Sequence, residues 1–185
     1  GATRELSSGP FLVVDIGGGS TEFVYGNKEV EFARSVNIGC VRMAERHQLS
    51  EFPSPESIAF AIADIDSAIA EAAAEVPLTS EATLIAVAGT ATTVAAAALD
   101  LTMYDRDAIH LSRVSAESVA RISQMFLQMS KVERVGLPYM HEGRVDVISS
   151  GALVLDRVMF ATGAKEFVAS EHDILDGIAW SQVSK

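Results

Sequence analysis

Cysteine is nearly absent: Cys40 stands alone in 185 residues. A single thiol excludes an internal disulfide, and it fits a reducing compartment such as the cytoplasm. Basic residues are scarce, 14 Lys and Arg against 25 Asp and Glu, for a net charge of −11. That balance excludes nonspecific binding to DNA or RNA and a broad basic groove for a long polyanion on this chain. Basic groups for such a ligand must come from a local cluster, a metal or another domain. No apolar run reaches the ~20 residues that a membrane-spanning helix needs. The least charged stretch, 82–99, is interrupted by Gly89 and four threonines and reads as a buried strand followed by a helix. His47, His110, His141 and His172 lack metal-ligand spacing and read as surface or satisfied polar residues. No signal peptide is visible at residue 1, the 185 residues show no internal repeat or low-complexity tract, and a chain opening on Gly1 instead of Met reads as a fragment or processed product.

What is present argues for one folded domain, 1–185. Hydrophobic residues make up 49% of the chain, enough for a sizeable core. Residues 11–16, 22–26 and 29–36 read as three strands, with Gly26-Asn27 turning the chain between the second and third. A short helix is expected at 41–47. Ser54-Pro55 caps a longer one, whose Ile58, Ile62, Ile65, Ile69, Ala72 and Val76 form an apolar stripe ending at Pro77. A strand at 83–87 leads through Ala88-Gly89 into a helix at 92–99. Residues 109–114 read as a strand or an extended linker. Ser115 caps a helix carrying Val119, Ile122, Phe126 and Met129, and Ser130 with Glu133 forms a capping box. A long apolar helix at 144–162, a last strand at 167–168 and a last helix at 173–183 complete the order. The expected α/β fold is a mixed five-stranded sheet with helices on both faces.

The most informative stretch is Val13-Val14-Asp15-Ile16-Gly17-Gly18-Gly19-Ser20-Thr21-Glu22-Phe23-Val24. A strand delivers Asp15 to its end, three glycines turn the chain, and two hydroxyls and Glu22 open the next strand. Glycines without Cβ let backbone N–H groups approach an anion, and consecutive N–H groups in a turn form an anion nest. Asp15 and Glu22 have the wrong sign for phosphate, so they point to a hard cation such as Mg²⁺ or to an aligned water. The competing readings are a plain hairpin turn, an Asx-turn cap at Asp15 and a solvated strand residue at Glu22. The pattern matches neither the Walker loop nor the dinucleotide fingerprint. Strand, turn, strand is the phosphate-loop geometry of the actin, sugar-kinase and Hsp70 group, and the element order matches one ribonuclease-H-like lobe of it.

Asp15-Ile16-Gly17-Gly18-Gly19-Ser20-Thr21-Glu22 resembles the signature of the exopolyphosphatase and guanosine pentaphosphate phosphohydrolase family (Ppx/GppA). Ser35-Val36-Asn37-Ile38-Gly39-Cys40-Val41-Arg42-Met43 resembles its next block, and Ala88-Gly89-Thr90-Ala91-Thr92-Thr93 its second glycine loop. Arg144-Val145-Asp146 with Gly151, then Asp176-Gly177-Ile178, resemble its closing helices. The resemblance implies the second of two lobes, with the active site in the cleft between them. The first lobe, its phosphate loop and the catalytic glutamate base are then missing from the chain.

On this resemblance Asp15 and Glu22 handle metal and water. Gly17, Gly18, Gly19, Ser20 and Thr21 hold phosphoryl oxygens, and Gly89, Thr90 and Thr92 form a second phosphate-facing loop. Thr90 reads equally as a helix cap. Arg42 either reaches phosphate or pairs with Glu45 or another surface acid, and Asp146 either faces the cleft or caps or solvates its helix. The implied cofactor is Mg²⁺ or another divalent cation. The implied partners are polyphosphate or guanosine pentaphosphate and the first lobe, and a homodimer is one assembly open to the protein. The implied reaction is hydrolysis of a terminal phosphoanhydride by the complete protein, the isolated lobe being nearly inactive. The rival readings are a noncatalytic phosphate- or alarmone-binding module and a lobe of an actin-like ATPase or sugar kinase.

Overall fold

In the computed structural model, which describes residues 2, 3, 5, 6 and 8–172, the first apolar runs form a meander of β1 (Phe11–Ile16), β2 (Thr21–Gly26) and β3 (Val30–Val36). Alternation along the strands decides which side chains are buried. Leu12, Val14 and Ile16 of β1, and Phe23 opposite Val14 on β2, are fully buried. Val13, Asp15, Glu22 and Val24 take the other face and are half-buried. β4 (Thr83–Val87) lies parallel to β1, and β6 (Glu166–Ala169) lies parallel to β4.

A short strand, β5 (Arg113–Ser115), pairs antiparallel with β6 and makes the sheet six-stranded, in the order β3-β2-β1-β4-β6-β5. The expectation of five strands is therefore corrected. Its source is the 109–114 segment, which divides into a helical turn and a strand of three residues. A run that short has no period to read.

The first two helices, α1 (Cys40–His47) and α2 (Pro55–Ala73), follow β3. Ser54 caps α2 by accepting from the Ser57 N–H at 3.1 Å, and Pro55 occupies its first turn. α2 buries Ala61, Ile65, Ile69 and Ala72, and it stops at Ala73, ahead of Pro77. α3 (Ala88–Ala98) begins four residues before the expected start at 92, because its first turn is built from the glycine loop itself and is anchored by buried Thr90 and Ala91. α4 (Arg106–Ile109) is a single turn, and α5 (Ala116–Gln128) starts on the Ser115 cap. The capping box at Ser130 and Glu133 opens α6 (Lys131–Val135). A 3-10 turn at Glu142–Arg144 leads into α7 (Ile148–Thr162), which packs against α1, α2, α3, α5 and β1.

α1, α2, α3, α5 and α7 share one hydrophobic cluster with Leu12, Val14, Phe23, Leu84, Ala86 and Phe167 of the sheet. Each fully buried Leu, Ile or Phe there contributes roughly 1.5–3 kcal/mol. The opposite face carries a smaller cluster of Phe11, Ile85, Val87 and Val168, covered by Ala2, Leu6 and Leu111. The helix expected at 173–183 and the Asp176-Gly177-Ile178 block lie outside the described residues. Among the described residues no helix is long and apolar enough to cross a membrane.

α7 crosses the starts of α1 and α3 at Gly151, where a Cβ would fall 2.5 Å from Thr90 Oγ1 and 3.2 Å from the Cys40 Cβ. Close-packed interiors resist even one added methyl. Gly151→Ala is expected to lose about 1–3 kcal/mol of stability, read as a lowered urea midpoint at unchanged m-value.

Candidate phosphate and cation site

β1 and β4 run parallel side by side, so their carboxyl ends open together, where ligands of open α/β sheets gather. Between β1 and β2, the Gly17 N–H donates to Ser20 O at 3.0 Å and closes the turn. The loop then hands its carbonyls to α1. Gly17 O accepts from the Cys40 N–H at 2.9 Å, and Gly18 O accepts from the Val41 and Arg42 N–H groups at 2.9 and 3.0 Å. Gly19 O accepts from Arg42 Nε at 2.6 Å. First-turn N–H groups of a helix have no partner within it, so the loop caps α1. In a trans peptide the N–H points opposite to the C=O. Seating these three carbonyls on α1 therefore turns the N–H groups of Gly18, Gly19 and Ser20 the other way. None of those three N–H groups has a hydrogen-bond partner among the described residues.

The glycines serve this geometry through space, since none of Gly17, Gly18 and Gly19 takes a left-handed conformation. The tightest position is Gly39, where a Cβ would overlap the Gly18 carbonyl and the Gly19 backbone.

Asp15 and Glu22 face each other directly across the β1–β2 register and so share one face, the one away from the helical layer. Glu22 Oε1 accepts from the hydroxyls of Ser20 and Ser35, each at 2.6 Å. One carboxylate oxygen is thereby fixed and the other keeps its lone pairs for a ligand. Both acids line a hollow of about 390 Å³ with Val13, Val24, Val87 and Thr3. Two carboxylates on one rigid ladder fit a hard cation that completes its shell with water and phosphate oxygens, as Mg²⁺ does.

Across the mouth of β4, Ala88 takes φ 63° and starts α3. The Arg144 guanidinium lies over Gly89 and occupies the space of the missing Cβ. Arg144 forms no ion pair among the described residues. A helix N-terminus carries partial positive charge, so the guanidinium and α3 act on an anion in the same sense. The hollow here, about 430 Å³, is lined by Gly89, Thr92, Tyr104, Tyr139, His141 and Arg144. The Tyr104 hydroxyl is 2.8 Å from Thr92 Oγ1 and donates to Glu171 Oε1 at 2.5 Å. Burial and the Glu171 carboxylate push its pKa up to about 12.

The Ppx/GppA phosphatase family profile matches residues 1–185. The chain belongs to the Ppx/GppA family. It is 42% identical over 187 residues to an "Exopolyphosphatase 2" of Mycobacterium tuberculosis, an alignment covering 98% of this chain and 59% of that protein. An "exopolyphosphatase-like protein" of known crystal structure is 40% identical, with a TM-score of 0.89 over 97% of this chain and 61% of the other. The Aquifex aeolicus family member superposes with a TM-score of 0.88 over 98% of this chain and 58% of its own, at 23% identity, which speaks for the fold. The chain thus spans about three-fifths of the length of these Ppx/GppA relatives.

The structure does not bring all of the sequence-predicted residues together at the loop. Thr21 is fully buried and its hydroxyl donates to Ile38 O at 3.1 Å, so the side chain is withdrawn from any phosphate. Ser20 Oγ positions Glu22, while its N–H has no partner among the described residues. Thr90 is buried between Gly151 and Cys40; Gly89 and Thr92 line the hollow, with Thr92 itself buried behind the Tyr104 hydroxyl. Arg42 binds the Gly19 carbonyl. Asp146 is exposed and pairs with Lys131 at 2.8 Å. His47 pairs with Asp64, and His141 accepts from the Gly143 N–H. His110 and His172, in contrast, meet each other and Glu5. Arg144 and Gly39 stand in the motif blocks, but sequence reasoning missed their roles. Gly89 and Arg144 are joined only by the tertiary fold, and Gly39 is required by a loop twenty residues upstream.

Burial pushes the Cys40 thiol up, against the opposing pull of Arg144 and of hydrogen bonds from the Val41 N–H and Thr90. A raised thiol is protonated and inert, so the folded protein should resist iodoacetamide at pH 7.5 and react fully in denaturant. Gly39→Ala should lower stability by about 1–3 kcal/mol in urea unfolding. Gly19→Ala, whose Cβ would lie 3.7 Å from the flexible Arg42 side chain, should unfold close to wild type.

Proposed function

We propose that this chain is the second lobe of a two-lobed phosphoanhydride hydrolase that releases terminal phosphate from inorganic polyphosphate or guanosine pentaphosphate. The observation that carries this reading is the Asp15–Glu22 pair standing beside a loop whose N–H groups have been freed by α1. Hydrolysis of a phosphoanhydride depends on positioning and charge neutralisation. The N–H groups of Gly18, Gly19 and Ser20 would bind phosphoryl oxygens and orient the terminal phosphate. Arg144 with the start of α3 would hold a neighbouring phosphate of the chain, and Thr92 would line its approach.

Asp15 and Glu22 would hold Mg²⁺, which when bound supplies charge neutralisation and a more acidic water. Ser20 and Ser35 keep Glu22 in one orientation and so keep the pair preorganised. The general base and the opposing phosphate loop would come from a first lobe, consistent with a chain covering 59% of its M. tuberculosis relative. Alone, the lobe should turn over poorly, since loss of a general base costs roughly 10²–10⁴-fold. The lone buried thiol supports a reducing, cytoplasmic setting.

In the complete two-lobed protein, Asp15→Asn and Glu22→Gln should each reduce Mg²⁺-dependent phosphate release by about 10²-fold or more, with circular dichroism unchanged. Wild-type turnover of both variants at saturating Mg²⁺ would remove the acids from the mechanism. Assaying polyphosphate, guanosine pentaphosphate and ATP side by side separates this reading from an actin-like ATPase. Ligand binding without phosphate release would identify a sensor module instead.

A further inference from the structure

Three stretches far apart in sequence meet at the edge of the smaller apolar cluster. The N-terminal segment brings Glu5, the residue after α4 is His110, and the residues after β6 include His172. One ligand atom from each of Glu5, His110 and His172 lies within 4.8 Å of the others. Glu5 Oε2 is 2.6 Å from His110 Nε2 and 3.8 Å from His172 Nδ1, and the two imidazole centroids are 4.2 Å apart. The His110 and His172 side chains are only 20% and 27% exposed, Glu5 49%. We propose that Glu5, His110 and His172 form a zinc site that clips the N-terminal segment to the carboxyl end of β6.

The donor set decides the metal. Two imidazole nitrogens and one carboxylate oxygen suit Zn²⁺ and neighbouring transition ions, whereas Mg²⁺ takes oxygen donors. Bonds of roughly 2.0 Å set tetrahedral ligand atoms about 3.3 Å apart. The separations of 2.6 and 3.8 Å bracket that value, so small side-chain rotations close the site. The Glu171 N–H donates to His110 Nδ1 at 3.3 Å, which places the ring proton on Nε2, toward Glu5. Binding through Nε2 moves that proton to Nδ1 and gives up the long Glu171 contact. Among the described residues the cluster supplies three donors, and water takes the fourth position.

The clip acts on a segment that lies beside the candidate catalytic pair. Leu6 and Ala2 pack with Phe11, Val87 and Val168, while Ala2 and Thr3 line the same hollow as Asp15 and Glu22. A cation bound to folded but not unfolded chain adds stability by mass action. Zinc at this site therefore fixes the segment that enters β1, through a donor set distinct from the oxygen-only Asp15–Glu22 pair.

The test is a calorimetric Zn²⁺ titration of the chelator-stripped 185-residue protein in excess Mg²⁺, with Co²⁺ absorption and histidine ¹⁵N spectra alongside. One equivalent of Zn²⁺ should bind, and the His110 and His172 ring signals should move, His110 with a change of tautomer. His110→Ala, His172→Ala and Glu5→Gln should each weaken binding about tenfold or more, and the double histidine variant should lose saturable binding. His47→Ala/His141→Ala should bind as wild type. Circular dichroism identifies any variant that fails to fold, and the wild-type ring shifts stand independently of the variants. Equal Zn²⁺ affinity in wild type and the double variant, or unmoved His110 and His172 signals at saturation, would overturn the proposal.

Discussion

The seating of the Gly17–Ser20 loop on the first turn of α1 is the contact on which the rest of the site depends. A helix start needs acceptors and a phosphate cradle needs unoccupied donors. One set of peptide planes meets both needs, because each carbonyl turned toward α1 leaves the following N–H turned away. The arrangement works only if two backbones approach without an intervening Cβ. That places the strictest demand on Gly39, outside the glycine run itself. The same requirement recurs at Gly151, where α7 crosses the starts of α1 and α3. The site is thus a product of close backbone packing beneath it, with charge added at its rim.

The charge is distributed in a way that a net value of −11 conceals. Asp15 and Glu22 stand on one face of the sheet, and the Arg144 guanidinium stands over the start of α3. The N–H groups of Gly18, Gly19 and Ser20 add backbone donors that carry no formal charge. An acidic chain can therefore present an anion site, provided its positive potential is local and built from dipoles and one arginine. Strand register fixes the acid pair: a slip of one residue would send both carboxylates into the hydrophobic layer.

Much of this was legible in the sequence, for identifiable reasons. β1, β4, α2, α5 and α6 follow from apolar period and from caps at Ser54, Ser115 and Ser130, all local signals. Asp15, Glu22 and the glycine loop follow from a contiguous motif. β5 reads no further than a strand or an extended linker because three edge residues carry no periodicity, and the start of α3 is hidden because tertiary packing holds a Gly-containing first turn that propensity disfavours. The inward turn of Thr21 and Thr90 is set by partners at Ile38 and Gly151. Arg144 over Gly89, and the meeting of Glu5, His110 and His172, join residues separated by more than fifty positions, and no local pattern encodes such a meeting.

The central claim is that the Gly18, Gly19 and Ser20 N–H groups form an anion cradle. Amide ¹H–¹⁵N spectra of the chain titrated with pyrophosphate in the presence of Mg²⁺ test it most directly. The account predicts saturable downfield shifts largest at Gly18, Gly19 and Ser20, with Arg144 side-chain signals moving in parallel. Saturable pyrophosphate shifts elsewhere in the protein, with those three amides unmoved, would contradict it and reduce the loop to a hairpin turn that caps α1.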